Sequence, residues 1–203
     1  MWLIAGPNGA GKSSFTDRFL EDLGLRDLTR LNADERTLEL RRREPAAAES
    51  ELNLRAAIEI DQEVADHIRA ERSFVVETVL SSRKYRDDVL AAKRAGFRFG
   101  LIYISLYPAR LSPLRVAERT AKGGHGVEAA KAIERHERSH LELRWFAPRA
   151  DLLMVFDNSA PHGTPQLIAS RTSRKALRYL LPGVNPAVDQ ALAAAFPAKL
   201  ARW

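Results

Sequence analysis

The chain has 203 residues and no cysteine, which excludes disulfides, thiolate metal sites and a thiol nucleophile. Its 32 basic residues exceed its 26 acidic ones, for a net charge of +6, and 45% of its residues are apolar, as in ordinary globular domains. No apolar run approaches the ~20 residues needed to span a bilayer, and with Trp2-Leu3-Ile4-Ala5 and the glycine-rich turn directly after Met1 no signal peptide is expected. The expectation is a single domain over 1–203, cytoplasmic and without membrane contact.

Trp2-Leu3-Ile4-Ala5 is a short apolar run suited to a buried parallel strand. It leads into Gly6-Pro-Asn-Gly-Ala-Gly-Lys12-Ser13, which fits the phosphate-loop pattern of Gly, four residues, then Gly-Lys-Ser/Thr. Ser13 to Leu20 reads as the start of a helix. In this strand–turn–helix setting, successive backbone N–H groups form an anion cradle at a helix N-terminus. Gly6, Asn8, Gly9, Ala10, Gly11, Lys12, Ser13 and Ser14 are therefore candidate nucleotide-binding residues. Lys12 can reach the β- and γ-phosphates, and the Ser13 hydroxyl can ligate Mg²⁺.

Residues 28 to 32 are a candidate second strand, and 35 to 43 look helical. The basic run Arg41-Arg42-Arg43 lies in that helix without interleaved aromatics and reads as a solvated face, so nucleic acid is not an expected partner. A long helix is expected over 49 to 71, with Ala56, Ile60, Val64 and Ile68 at four-residue spacing. Ser73 to Val79 reads as a buried strand, 82 to 95 as a helix closed by Gly96, and Phe97 to Leu106 as the strongest strand. Ser112-Pro113 looks like an N-cap followed by proline at N1. The helix it opens runs to about Lys122, and a second helix covers about 127 to 146. Leu152 to Phe156 is a late strand, Gln166 to Ser170 a last short one, and 187 to 203 a helical tail. Strands alternating with helices predict an α/β three-layer fold, with a mostly parallel sheet and helices on both faces. Ligands in such sheets bind beyond the carboxyl ends of the strands, where the phosphate loop, Asp34 and Glu77 all fall.

Asp34 is the candidate general base for an acceptor hydroxyl; it could equally cap the following helix, and both roles can hold at once. Glu77 stands in an apolar strand, where a glutamate is either functional or ion-paired. Thr78 either orients a substrate or is simply a good strand former. Residues 112 to 138 look like a helical lid around Gly123-Gly124, carrying Arg115, Arg119, Lys122, Arg135 and Arg138. Cations closing over a transferring phosphate would stabilise its charge; some of these arginines are ordinary surface residues. His125 between glycines is a candidate substrate-binding residue that contacts phosphate, or it acts structurally or shapes the turn. It has no neighbours at metal-ligand spacing, so a zinc site is rejected. Asn158, in Asp157-Asn158-Ser159, lies beside the adenine or forms a plain turn.

Taken in order, Gly6 to Ser13, Asn32-Ala33-Asp34, Glu77-Thr78, Gly123-Gly124-His125 and Asp157-Asn158-Ser159 resemble the zeta toxin family of phosphate-loop (P-loop) kinases over about residues 1 to 160. The resemblance implies an ATP- and Mg²⁺-dependent kinase. Family toxins phosphorylate the 3′-hydroxyl of the sugar in UDP-N-acetylglucosamine. By the same resemblance Lys12 and Ser13 bind ATP and Mg²⁺, and Asp34 is the catalytic base. Glu77 becomes the substrate-side acid, and Arg119 and Arg135 clamp phosphate. Toxin members carry Glu-Gly-Thr-Leu-Arg on the acceptor strand, where this chain has Glu77-Thr78-Val79-Leu80-Ser81. An antitoxin, if one partners this chain, is a separate polypeptide. Two other readings stand beside this one: a phosphotransferase with an antibiotic or nucleotide acceptor, and a nucleotide-binding ATPase switch acting through a partner.

Overall fold

The computed structural model describes residues 1–121, 126–161, 164–172 and 175–197, with backbone alone at Arg18 and Phe19. Seven strands form one sheet: β1 (Trp2–Ala5), β2 (Thr29–Asn32), β3 (Phe74–Thr78), β4 (Gly100–Ser105), β5 (Leu152–Asp157), β6 (Gln166–Thr172) and β7 (Arg178–Tyr179). Their spatial order is β2-β3-β1-β4-β5-β6-β7. The first five are parallel, and β6 and β7 add an antiparallel edge. The mostly parallel sheet expected from the sequence is thus present, with β7 an addition that its two-residue length hid.

Parallel strands covered on both faces read as continuous apolar runs, because neither side meets water. Leu101 and Tyr103 of β4 face one layer with Leu3 and Val76, while Ile102 and Ile104 face the other with Ile4 and Val75. The first layer is closed by α3 (Glu49–Arg69), α4 (Arg86–Arg94), α6 (Ala129–Phe146) and α7 (Pro186–Ala195), through residues such as Ile60, Val89, Leu143 and Leu192. The second is closed by α1 (Lys12–Asp22), whose Phe15 and Leu20 pack on Ile4 and Phe156. Each large apolar side chain buried here contributes about 1.5–3 kcal/mol of transfer free energy.

Helix α2 (Ala33–Arg43) leans on α3 outside the sheet, with Leu40 against Leu52 and Ala56. Arg36 pins the pair by donating to Glu59 and Glu63, each at 2.7 Å. Helix α5 (Leu111–Ala121) opens the segment expected to be the lid. It begins one residue before the proposed cap, so Ser112 lies inside its first turn. The Ser112 hydroxyl donates instead to the Asn8 carbonyl at 2.6 Å. Lys122, Gly123, Gly124 and His125 lie outside the described residues, as does the end of the C-terminal tail. Among the described residues no helix is long and apolar enough to cross a membrane.

Candidate active site

The register sets the carboxyl ends of β1, β2 and β3 side by side. Asn32 pairs with Glu77, and Ala5 with Thr78. The phosphate loop leaves β1 at Gly6, whose φ is +146°, and a Cβ there would stand 2.0 Å from the Ile104 carbonyl oxygen. Only glycine lets the chain turn so close to β4. Lys12 is first in α1 and folds back over the loop, donating to the carbonyls of Gly6 at 2.9 Å and Pro7 at 3.2 Å. Burial lowers the pKa of Lys12; Glu77 and Asp34 oppose that shift, and Arg119 adds to it. All three charges therefore sense the lysine.

The Ser13 hydroxyl donates to Oε1 of Glu77 at 2.7 Å. The Glu77 side chain is 9% exposed, with the Arg30 guanidinium 3.8 Å from Oε2, and that oxygen is buried without a hydrogen bond. Arg30 also binds Asp17 at 2.7 Å and approaches Glu35 at 3.7 Å. The ion pair weighed for Glu77 thus exists, but it is long and leaves the carboxylate turned to Ser13. Arg30 was missed from the sequence because an arginine in a four-residue edge strand looks like a surface residue.

Asn32 is the N-cap of α2: its side-chain oxygen accepts from the N–H of Asp34 at 2.9 Å and of Glu35 at 3.4 Å. The capping role weighed for Asp34 therefore belongs to Asn32, and Asp34 sits in the first turn with its carboxylate available to the cleft. Its negative charge at a helix N-terminus is favoured by the dipole. Thr78 accepts from the Leu80 N–H at 3.1 Å, steadying a residue held at φ +55°.

Two cavities meet at these residues. One of about 300 Å³ lies over the phosphate loop and is lined by Gly9, Gly11, Ser14 and Arg119 among others. The second, about 210 Å³, is lined by Thr78, Leu80, Tyr85, Lys84 and Arg135. Lys12, Asn32, Asp34 and Glu77 border both. Arg119 and Arg135, expected as a pair, are thereby divided between the two cavities. Arg115 is a strut instead, donating to the carbonyls of Asn158 at 2.6 Å and of Ser159 and Ala160 at 3.2 Å. Arg138 pairs with Glu134 on its own helix at 2.5 Å. Asn158 does not form a plain turn: its side-chain amide donates to the Ala10 carbonyl at 2.9 Å. Asp157 is buried and bound by Asn185 and Ser159.

The chain's first 143 residues match a family model described as AAA domain. The chain belongs to this family. A search of curated proteins finds no match. Among solved structures, a chain of the AvrRxo1-ORF1:-ORF2 assembly with ATP superposes with a TM-score of 0.70 at 15% identity, covering 97% of this chain and 63% of that one. The native AvrRxo1-ORF1:-ORF2 complex gives 0.66 at 17% identity, over 98% and 65% of the two chains. A chain of the PezAT chromosomal toxin–antitoxin system of Streptococcus pneumoniae gives 0.58 at 15% identity, over 77% and 66%. This AAA domain chain thus spans under two thirds of the AvrRxo1 chains it resembles. Its fold is the one it shares with these AvrRxo1-ORF1:-ORF2 and PezAT chains.

Proposed function

We propose that the chain is an ATP-dependent kinase that transfers the γ-phosphoryl group to a hydroxyl of a small acceptor. The observation that carries this reading is the junction of two cavities at Lys12, Asp34 and Glu77. A nucleotide-binding switch needs only the first cavity. The second, with a carboxylate on the shared border, suits an acceptor whose hydroxyl points at the terminal phosphate.

In this scheme the loop N–H groups, Lys12 and Arg119 hold the triphosphate, and the acceptor occupies the second cavity. The bond between the γ-phosphorus and the β–γ bridging oxygen breaks as the acceptor oxygen bonds to phosphorus. The hydroxyl proton passes to the Asp34 carboxylate, and ADP leaves. Arg119 from one side and Arg135 from the other neutralise charge on the transferring group. His125, outside the described residues, is assigned to substrate binding only as part of this proposal.

The Ser13–Glu77 pair fits a hard divalent cation, since hydroxyl and carboxylate oxygens are the ligands Mg²⁺ takes. The buried Glu77 oxygen that lacks a hydrogen bond is a further acceptor in the same place. Among the described residues no group of three or more acidic or histidine side chains could hold a metal, so the nucleotide phosphates would complete its coordination. Bound there, Mg²⁺ would neutralise phosphate charge.

The acceptor we favour is a UDP-amino sugar such as UDP-N-acetylglucosamine. Its support is the ordered set of motifs and the shared fold. An antitoxin polypeptide as partner, and a cytoplasmic setting, belong to the same reading; the likeness to a toxin–antitoxin chain supports the partner. The test is transfer of labelled γ-phosphate from ATP to UDP-sugars, nucleosides and amino-sugar antibiotics, with Asp34→Asn beside the wild type. A labelled UDP-N-acetylglucosamine that falls by roughly 10²–10⁴ in the variant supports it. Label on another acceptor moves the substrate and keeps the chemistry. Hydrolysis without any labelled acceptor, unchanged in Asp34→Asn, refutes the kinase reading.

A further inference from the structure

Two side chains from outside the phosphate loop grip its backbone. Asn158, after β5, donates its amide to the Ala10 carbonyl at 2.9 Å. Ser112, in α5, donates its hydroxyl to the Asn8 carbonyl at 2.6 Å. In a trans peptide the carbonyl and the following N–H point to opposite sides. The peptides after Asn8 and Ala10 are both trans. Drawing those two carbonyls away from the loop therefore turns the N–H groups of Gly9 and Gly11 the other way. Both glycines line the cavity over the loop.

The grip is itself held. The Asn158 N–H donates to the Ser105 carbonyl at 3.0 Å, and the Asn158 carbonyl accepts from Arg115 at 2.6 Å. Ser112 is fully buried. A Cβ on Gly11 would stand 2.8 Å from the Asn158 amide nitrogen. The glycine is thus needed for this contact as well as for its φ of +80°.

The geometry points to Asn158 and Ser112 as positioning residues that aim the Gly11 and Gly9 N–H groups at the bound phosphates. This rests on the reading of the loop as a phosphate site and replaces the expectation that Asn158 lies beside the adenine. Asn158 acts through the loop and touches neither base nor sugar. Ser112 directly, and Arg115 through Asn158, also tie the loop to the helix that carries Arg119, so loop geometry and the placement of that arginine are linked.

The test is titration of the whole chain with ADP and with inorganic pyrophosphate, which has no base or ribose. Asn158→Leu keeps the side chain's shape and removes its donor. It should weaken both ligands by the same factor, about tenfold for one aligned hydrogen bond. Ser112→Ala should do likewise, and Ser112→Thr, which keeps the hydroxyl, should restore binding. The melting midpoint of each unliganded variant separates lost anion binding from unfolding; if Asn158→Leu unfolds, Asn158→Ser takes its place. Weaker ADP binding with unchanged pyrophosphate binding would overturn the proposal and return Asn158 to the base. Unchanged affinity for both ligands would also overturn it. A wild type that binds neither ligand would instead remove the phosphate-site reading beneath it.

Discussion

Ser13 and Glu77 stand 64 residues apart in sequence, yet the hydroxyl of one donates to the carboxylate of the other at 2.7 Å. The contact joins the first turn of α1 to the end of β3 and makes one oxygen-rich patch beside Lys12. Glu77 should therefore matter to metal use as well as to the acceptor. In Glu77→Gln the Mg²⁺ concentration giving half-maximal ATP turnover should rise about tenfold, with a smaller change in Ser13→Thr, which keeps the hydroxyl. A Mg²⁺ titration of turnover at saturating ATP checks this.

Arg119 and Arg135 border different cavities, so their loss should have different signatures. Arg119→Ala should raise the KM for ATP and lower kcat. Arg135→Ala should lower kcat and raise the KM for the acceptor, leaving the KM for ATP close to wild type. Roughly 10²-fold in kcat is expected for either, as for removal of one transition-state donor. Initial-rate measurements with each substrate varied in turn separate the two.

Gly6 has no room for a side chain. Alanine there would press its Cβ on the Ile104 carbonyl oxygen, 2.0 Å away, at a φ of +146°. Steric overlap and backbone strain add, and Gly6→Ala should destabilise the fold by about 3 kcal/mol or more. Denaturant unfolding of the variant measures it.

Buried His140 and half-buried Asp88 should give opposite pH dependences of stability. Burial lowers the pKa of His140 from its usual 6.5 to about 4, against the hydrogen bond to the His136 carbonyl. Between those values the unfolded chain takes up a proton that the native chain refuses, so stability is lost as pH falls from 6.5 towards 4. Burial, then the nearby Asp61, raises Asp88 from 3.8 to about 6. There the native chain keeps a proton that the unfolded chain releases, so stability falls as pH rises from 4 to 6. Relative to wild type, His140→Phe should flatten or reverse the loss of melting temperature on acidification, and Asp88→Asn should steepen it. Melting curves from pH 4 to 7 decide both.

Asp34, Glu77 and the loop were legible because each carries a local signal: a turn after a strand, an acid in an apolar run, a glycine pattern. Ser112 and Arg30 carry none, and the post-strand position of Asn158 points to the adenine or a turn rather than to the loop. A serine beside proline looks like a cap, and an asparagine after a strand looks like a turn residue. Sequence neighbours are silent because each structural partner lies far along the chain: Asn8 for Ser112, Glu77 for Arg30 and Ala10 for Asn158.

The sequence by itself determined the order of the first six strands and of the helices between them, the two-sided burial of the parallel strands and the phosphate loop, because apolar periodicity and glycine spacing act over a few residues. The capping of α2 by Asn32 rather than Asp34, the contact of Ser13 with Glu77 and the division of the two arginines between adjoining cavities were decided only by the tertiary structure. Those relations depend on strand register and on how helices lie across the sheet. Register and helix placement come from packing the whole core, so no local stretch of residues encodes them.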